Sequence, residues 1–187
     1  DYGISIYKGE ILWGLQDTFK IKEFPVDEIT TMVQDKNGNI WAGSKHGGAN
    51  SGLYKYSNDV WEKLDKSNSS IISTTINDIT IDPTNNFIWF ATTSGVGGYD
   101  GFSWTSINST SHLLQSNWVN TIIVDSIGNK WLGTDKGLAF IDGSNNVAIY
   151  DSSNTSLRNN WITSLEYDAD GVLWIGTMHG VTSYDGA

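Results

Sequence analysis

Four tryptophans at nearly constant spacing constrain this chain more than any other feature. Trp41, Trp89, Trp131 and Trp174 open the stretches WAGSKHG, WFATTSG, WLGTDKG and WIGTMHG, at intervals of 48, 42 and 43 residues. Three residues after each stands Ser44, Thr92, Thr134 or Thr177. An aspartate precedes three of the tryptophans by six residues and Trp89 by seven: Asp35, Asp82, Asp125 and Asp168. Six residues before each aspartate is Ile29, Ile76, Val119 or Ile162. A second series repeats the period. Gly3, Gly52, Gly95, Gly137 and Gly180 each have Tyr or Ile four residues on (Tyr7, Tyr56, Tyr99, Ile141, Tyr184). A fixed period of this length is the mark of an array of supersecondary units.

Each period holds four segments of strand length, separated by Gly, Asn, Asp and Ser. We label them a (from the Ile or Val to the Asp), b (led by Trp), c (led by Gly) and d (VWEKL, FSWTSI and their equivalents). The a–b links DKNGN, DPTNN, DSIGN and DADGV are tight polar turns, in which Asp and Asn cap their own turn and Gly accepts positive φ. No window shows the 3.6-residue periodicity of a helical solenoid. Isoleucine (20) outnumbers leucine (11), glycine stands at 20 and glutamate at only 5, a balance that favours strands and turns. Four antiparallel strands per period predict an all-β chain, a β-propeller of four-stranded blades. The a and b strands are expected at 29–34, 39–44, 76–81, 88–92, 119–124, 130–134, 162–167 and 172–177. The four framework tryptophans are expected to be buried between blades.

The phase of the repeat divides the chain into the end of a preceding blade (1–26), complete blades at 27–71, 72–116 and 117–160, and the start of a fourth at 161–187. There are five c segments but four each of a, b and d. That count predicts an excised or incomplete array, about four blades' worth of a longer one, whose open blade edges would permit self-association. The alternative is a closed four-blade ring, sealed by a d strand near Ile11–Gln16. The opening Asp1, in place of Met, equally predicts a processed or excised chain.

A net charge of −10, with Arg158 the one arginine, opposes nucleic acid and anionic membrane as partners. No apolar run is long enough to span a bilayer. Cysteine is absent, so disulfides and thiol chemistry are excluded.

The stretches DSIGNKWLGTDKGLAFIDG and DADGVLWIGTMHGVTSYDG resemble the two-component regulator propeller repeat: an Asp, a Gly turn, a Trp-led Gly-Thr strand, and a Gly-led strand ending in an aromatic and Asp-Gly. IWAGSKHGG and IWFATTSGV match with departures, Ala42 and Ala91 among them. The resemblance covers roughly residues 27 to 187. It implies a bacterial sensing domain, periplasmic or extracellular, of a kind found ahead of a membrane span and a kinase and often responsive to glycans. Similar repeats also occur in free-standing secreted proteins.

In propellers the b–c and d–a connections share the face that most often carries ligands. The b–c pairs differ between blades: Lys45-His46, Thr93-Ser94, Asp135-Lys136 and Met178-His179. Such a variable set on a constant frame is what recognition loops look like, and also what drift on solvated loops looks like. Five extra residues around Asn50 lengthen the first b–c loop. Trp118 and Trp161 precede strand a in two blades and lie outside the framework series. They would either stack on a sugar ring or another ligand, or pack between blades. Ligand contacts are therefore expected from Lys45, His46, Asn50, Trp118, Trp161 and His179.

Asp78 and Glu166 break the a-strand pattern, as an acid–base pair or as hydrogen-bonded structural groups. The turn aspartates supply too few converging oxygens for calcium. His46, His112 and His179 do not share a repeat position, which argues against zinc, and no nucleophile, metalloprotease or phosphate-loop motif is present. The sequence thus implies no cofactor, no metal and no catalytic residue. Asn68, Asn108 and Asn154 sit in glycosylation sequons but recur in register, as turn residues do. The leading reading is a non-enzymatic module that binds a small molecule, a glycan or a protein. The alternatives are a secreted propeller enzyme acting on a polysaccharide or cyclic ester, and a structural segment without a ligand of its own.

Overall fold

A computed structural model describes residues 28–45 and 49–186. The expected segment 1–26 and His46 lie outside the described residues. Strands β1 (Ile29–Gln34), β2 (Ile40–Ser44), β3 (Leu53–Ser57) and β4 (Val60–Leu64) form one antiparallel sheet in sequential order. A second sheet comprises β5 (Ile76–Ile81), β6 (Ile88–Thr92), β7 (Gly95–Tyr99) and β8 (Trp104–Ile107). A third comprises β9 (Val119–Val124), β10 (Lys130–Thr134), β11 (Gly137–Ile141) and β12 (Val147–Tyr150). The fourth has three described strands, β13 (Ile162–Tyr167), β14 (Leu173–Thr177) and β15 (Gly180–Tyr184). These are propeller blades. The a and b strands fall where the repeat places them, within one residue at Ile40 and Leu173. The single helix among the described residues is one turn, α1 (Ser109–His112), capped by the Asn108 side chain. No helix among them is long and apolar enough to cross a membrane.

The core lies between blades. Trp41, Leu53 and Leu64 of blade one pack with Ile76, Ile79, Ile88 and Phe90 of blade two. Trp89, Ala91 and Val96 pack with Val119, Ile122, Val124 and Leu132 of blade three. Trp131 and Leu138 pack with Ile162, Leu165, Leu173 and Ile175 of blade four. Trp41, Trp89 and Trp131 therefore each face the following blade. Trp41 meets Tyr99 edge-on at 6.0 Å, and Trp131 meets Tyr184 at 5.4 Å.

The three junctions share a construction. Every a strand is bulged at its second residue, Thr30, Asn77, Asn120 or Thr163. The bulge takes that residue out of the ladder and re-aims its side chain. Thr30 Oγ1 donates to the Ile76 carbonyl (2.7 Å), Asn77 Nδ2 to that of Val119 (2.7 Å), and Asn120 Nδ2 to that of Ile162 (2.8 Å). In each case the acceptor is the first a-strand residue of the next blade. The side chain of that residue drops onto a b-strand glycine. A Cβ on Gly43 would lie 2.5 Å from Ile76 Cγ2, and one on Gly133 would lie 2.6 Å from Ile162 Cγ2. Blade two has Ala91 in place of this glycine, and the facing residue is Val119 rather than isoleucine. The Ala–Val pair keeps the side-chain carbon count of the Gly–Ile pairs.

One expectation fails. Trp41, Trp89 and Trp131 are buried, but Trp174 is 46% exposed, along with Met178 and Val181. Its position in the repeat is the same as theirs. What differs is that no described blade covers the face it occupies. Trp131→Ala should cost about 3–5 kcal/mol through lost burial and a residual cavity. Trp174→Ala should cost less than about 1 kcal/mol. Urea midpoints of the two variants against the parent chain check this contrast.

Candidate functional site

The d–a and b–c connections lie on one face. Gly95 N–H donates to the Asn117 carbonyl, Asp135 N–H to that of Trp118, and Met178 N–H to that of Trp161. At the axis on this face is a polar cavity of about 380 Å³, lined by Glu28, Ile29, Thr30, Lys45, Asn77, Asn120, Trp161 and Thr163. All four blades contribute, because the wall is made of the starts of their a strands. The bulged residues that hold the blades together are therefore also the lining of the cavity.

Trp161 is 41% exposed and Trp118 46% exposed, with ring centroids 6.3 Å apart and planes inclined at 53°. The two rings thus meet across the seam between blades three and four while each keeps part of its surface open. Trp118 Nε1 donates to Asn120 Oδ1 at 2.9 Å, so the indole is fastened to the cavity wall. Backbone donation to Asn159 Oδ1 sets the start of strand a at Trp161 (2.8 Å).

The other expected contacts are more dispersed. Lys45 is exposed and lines the cavity. His179, in the b–c turn of blade four, has its Nδ1 3.3 Å from Asn159 Nδ2. Asn50 uses its carbonyl to accept the Tyr54 hydroxyl (2.5 Å), so its main chain serves the loop. Lys63 reaches the neighbouring Ala49 carbonyl. The geometry thus joins Lys45, Trp118 and Trp161 around the axis, and adds Asn77 and Asn120. Those two asparagines escaped the sequence reading. The signal for them is a polar donor directly after the first apolar residue of every a strand.

The two unusual carboxylates do not form a pair. Asp78 accepts from Thr31 Oγ1 (3.3 Å), Ile79 N–H (2.8 Å), Thr121 Oγ1 (2.8 Å) and Ile122 N–H (3.0 Å). One side chain thereby ties blades one, two and three. Burial pushes its pKa up from the ordinary carboxylate value, against the pull of these four hydrogen bonds. Glu166 is exposed on the face of blade four, at the register position of Val33 and Ile123, which pack between blades.

The turn aspartates spend their oxygens on their own turns. Asp35 Oδ1 accepts from the backbone of Asn37 and Asn39, and its Oδ2 from Asn39 Nδ2 and Trp41 Nε1. Asp168 repeats the pattern with Asp170, Val172 and Trp174 Nε1. In blades one and four the turn thus clamps the framework indole. Asp125 of blade three accepts from Ile127 and Asn129, and Asp82 of blade two from Thr84 and Asn85, with no bond to the tryptophan in either case. Trp89 Nε1 is buried without a hydrogen-bond partner, its ring stacks on Phe87 at 4.7 Å, and Lys130 Nζ from blade three lies 4.7 Å from it. The sequon asparagines are also structural. Asn68 and Asn154 donate Nδ2 to the carbonyls of Lys63 and Ile149, and Asn108 caps α1.

Residues 23–46 and 156–179 match the family model for the two component regulator propeller. Over these two stretches the chain is similar to that repeat. Both matches run through paired a and b strands, in blades one and four. The fold is shared with the extracellular domain of BT3049 from B. thetaiotaomicron, assigned to the hybrid two component systems. The TM-score is 0.72 at 23% identity, over 84% of this chain and 22% of that one. PorZ, a surface component of the type-IX secretion system of Porphyromonas gingivalis, superposes with TM-score 0.65 at 19% identity, over 85% of this chain and 26% of its own. Virginiamycin B lyase from Staphylococcus aureus does so with TM-score 0.64 at 15% identity, over 89% of this chain and 59% of its own. This chain thus spans about a fifth to a quarter of the length of the first two proteins. No curated protein matches the sequence.

The Asp35 clamp predicts a pH dependence. Burial raises the Asp35 pKa, but the hydrogen bonds from Trp41, Asn39 and Asn37 outweigh it and hold the group below the usual value. A depressed native pKa gives stability that is present above the unfolded value of about 4 and is lost as the pH falls through the native one. Asp35→Asn should cost about 1–3 kcal/mol at pH 7. Its deficit should shrink steadily below about pH 4, measured by urea unfolding of both chains across pH 2.5–7.

Proposed function

We propose that the chain is an extracytoplasmic recognition segment, periplasmic or extracellular, that binds a glycan at the axial cavity. One observation carries the reading: Trp161 stands exposed at the rim of a polar cavity, beside Lys45, Asn77 and Asn120. A polyhydroxylated ring presents an apolar face to an indole and hydroxyls to amides and an ammonium, which is the chemistry available here. The cavity volume lies within the range of small-molecule sites. Trp118, held at its angle by Asn120, offers a second ring for a longer chain of sugars. The repeat family and the fold shared with extracellular domains of sensor-type proteins support the location. A binding role is favoured over hydrolysis or elimination by the state of Asp78, whose carboxylate is committed to four hydrogen bonds within the blade junctions.

Titration of neutral and acidic oligosaccharides, followed by tryptophan fluorescence, tests this. The expected outcome is a saturable change whose affinity falls roughly tenfold or more in Trp161→Ala. The loss should be smaller in Trp118→Ala, with urea midpoints unchanged in both. Binding of equal strength in both variants would overturn the axial site.

A further inference from the structure

Trp118 and Trp161 hold the same repeat position in successive blades, each one residue before the first residue of an a strand, Val119 or Ile162. Matching contacts fix the two main chains. Trp118 N–H donates to Ser116 Oγ (3.0 Å), and Trp161 N–H to Asn159 Oδ1 (2.8 Å). One residue earlier, Asn117 Oδ1 accepts from Ser109 N–H and Asn160 Oδ1 from Ser152 N–H, at 2.7 Å in both cases. Each tryptophan carbonyl then accepts an N–H from the b–c turn of its own blade, that of Asp135 or Met178. The second indole is thus the first one carried round by a blade, and the rotation between blades sets the angle between them.

That angle is 53°, with the ring centroids 6.3 Å apart. Rings of four to eight blades turn by about 45–90° from one blade to the next, a range that includes it. A sugar that stacks on an indole lays its apolar face along the ring plane. Two neighbouring sugars, one on each indole, must therefore be turned relative to each other by about the angle between the rings. A ribbon-like chain does not meet this condition. In a β-1,4-linked glucan successive rings are flipped and lie nearly in one plane, so a chain flat on Trp118 meets Trp161 obliquely. In α-1,4- and β-1,3-linked glucans each ring is turned in one sense from the last, and the chain curves.

We infer that the glycan taken by the axial face is a curved chain, with neighbouring sugars stacked on Trp118 and Trp161 and the chain bending in the sense in which the blades turn. The inference rests on the glycan reading above and adds the shape of the chain to it. Selection by angle requires rings that hold their places. Both main chains are tied to the preceding d–a loop and to their own b–c turn, and Asn120 fastens the Trp118 indole. Realigning the rings to a flat ligand means breaking these contacts, whereas a curved one meets them as they stand. The equivalent positions of blades one and two hold Glu28 and Thr75, so the aromatic track among the described residues is two sugars long.

Cellotetraose, maltotetraose and laminaritetraose share one sugar, one length and zero charge, and differ in linkage alone. Titration of the full 187-residue chain with each, followed by tryptophan fluorescence, reads the preference. Maltotetraose or laminaritetraose should bind roughly tenfold or more tighter than cellotetraose. Trp118→Ala should abolish that advantage, because one ring imposes no angle, and its urea midpoint should match that of the parent chain. Cellotetraose binding as tightly as both curved chains overturns the inference and leaves the glycan reading standing. An advantage that survives Trp118→Ala overturns it in the same way, since the preference then arises away from the paired rings. Failure of all three tetraoses to bind also overturns it, and the glycan reading falls with it only when the wider range of neutral and acidic oligosaccharides is silent too.

Discussion

A four-stranded blade cannot bury both of its faces alone, and what lets the next blade cover it here is the bulge at the head of each innermost strand. The bulge frees one polar side chain from strand pairing and sends it across to a main-chain carbonyl of the following blade. A hydrogen bond of this kind contributes only about 0.5–1.5 kcal/mol net. The buried tryptophan beside it is worth about 3–5 kcal/mol on truncation. The bulk of the stability is therefore apolar, and the hydrogen bond decides alignment. It fixes the height at which the next strand sits, so that an isoleucine meets the glycine notch and not the bulkier residues beside it. Asp78 adds a second tie by joining three blades through one carboxylate.

That arrangement governs what the axial cavity can offer a ligand. Its wall is lined by side chains already engaged in holding blades together. Thr30, Asn77 and Asn120 each give a donor to the frame, and Asn120 also accepts from Trp118. The wall is consequently stiff, and its polar groups have fixed directions. On the proposed glycan-binding reading, discrimination between ligands would fall on the residues that the frame does not use, chiefly Trp161 and Lys45. Both lie at loop positions where the repeat imposes no residue type.

Strand positions were legible in the sequence because turn chemistry recurs at fixed offsets. An Asp that caps its own turn, as Asp35 and Asp168 do, marks the end of one strand and the start of the next. Burial was less legible. Trp174 holds the same repeat position as Trp131, and its exposure reflects that no described blade covers its face, which no window around it encodes. The junction donors were missed for a different reason. Thr and Asn look chemically unlike each other, and they become equivalent only once the bulge places both at the same carbonyl. Of the candidate site, the exposed indoles were legible as departures from the framework series. Asn50, expected as a ligand contact, was legible only as part of a lengthened loop, in which its carbonyl accepts the Tyr54 hydroxyl.

Blade two shows what the repeat tolerates. Its Trp89 indole is buried without a hydrogen bond, and the answering change lies in the next blade, where Lys130 sits over the ring. Its Ala91 is matched in the same way by Val119. The corrections are made across the seam rather than within the unit, so each seam has become particular to the two blades that share it. The units are alike in outline but no longer exchangeable. Transposing two of them would pair Ala91 with an isoleucine and leave Lys130 without its ring. Duplicated copies that began as identical bricks have thus acquired a fixed order of assembly, written into the mismatches each one repairs for its neighbour.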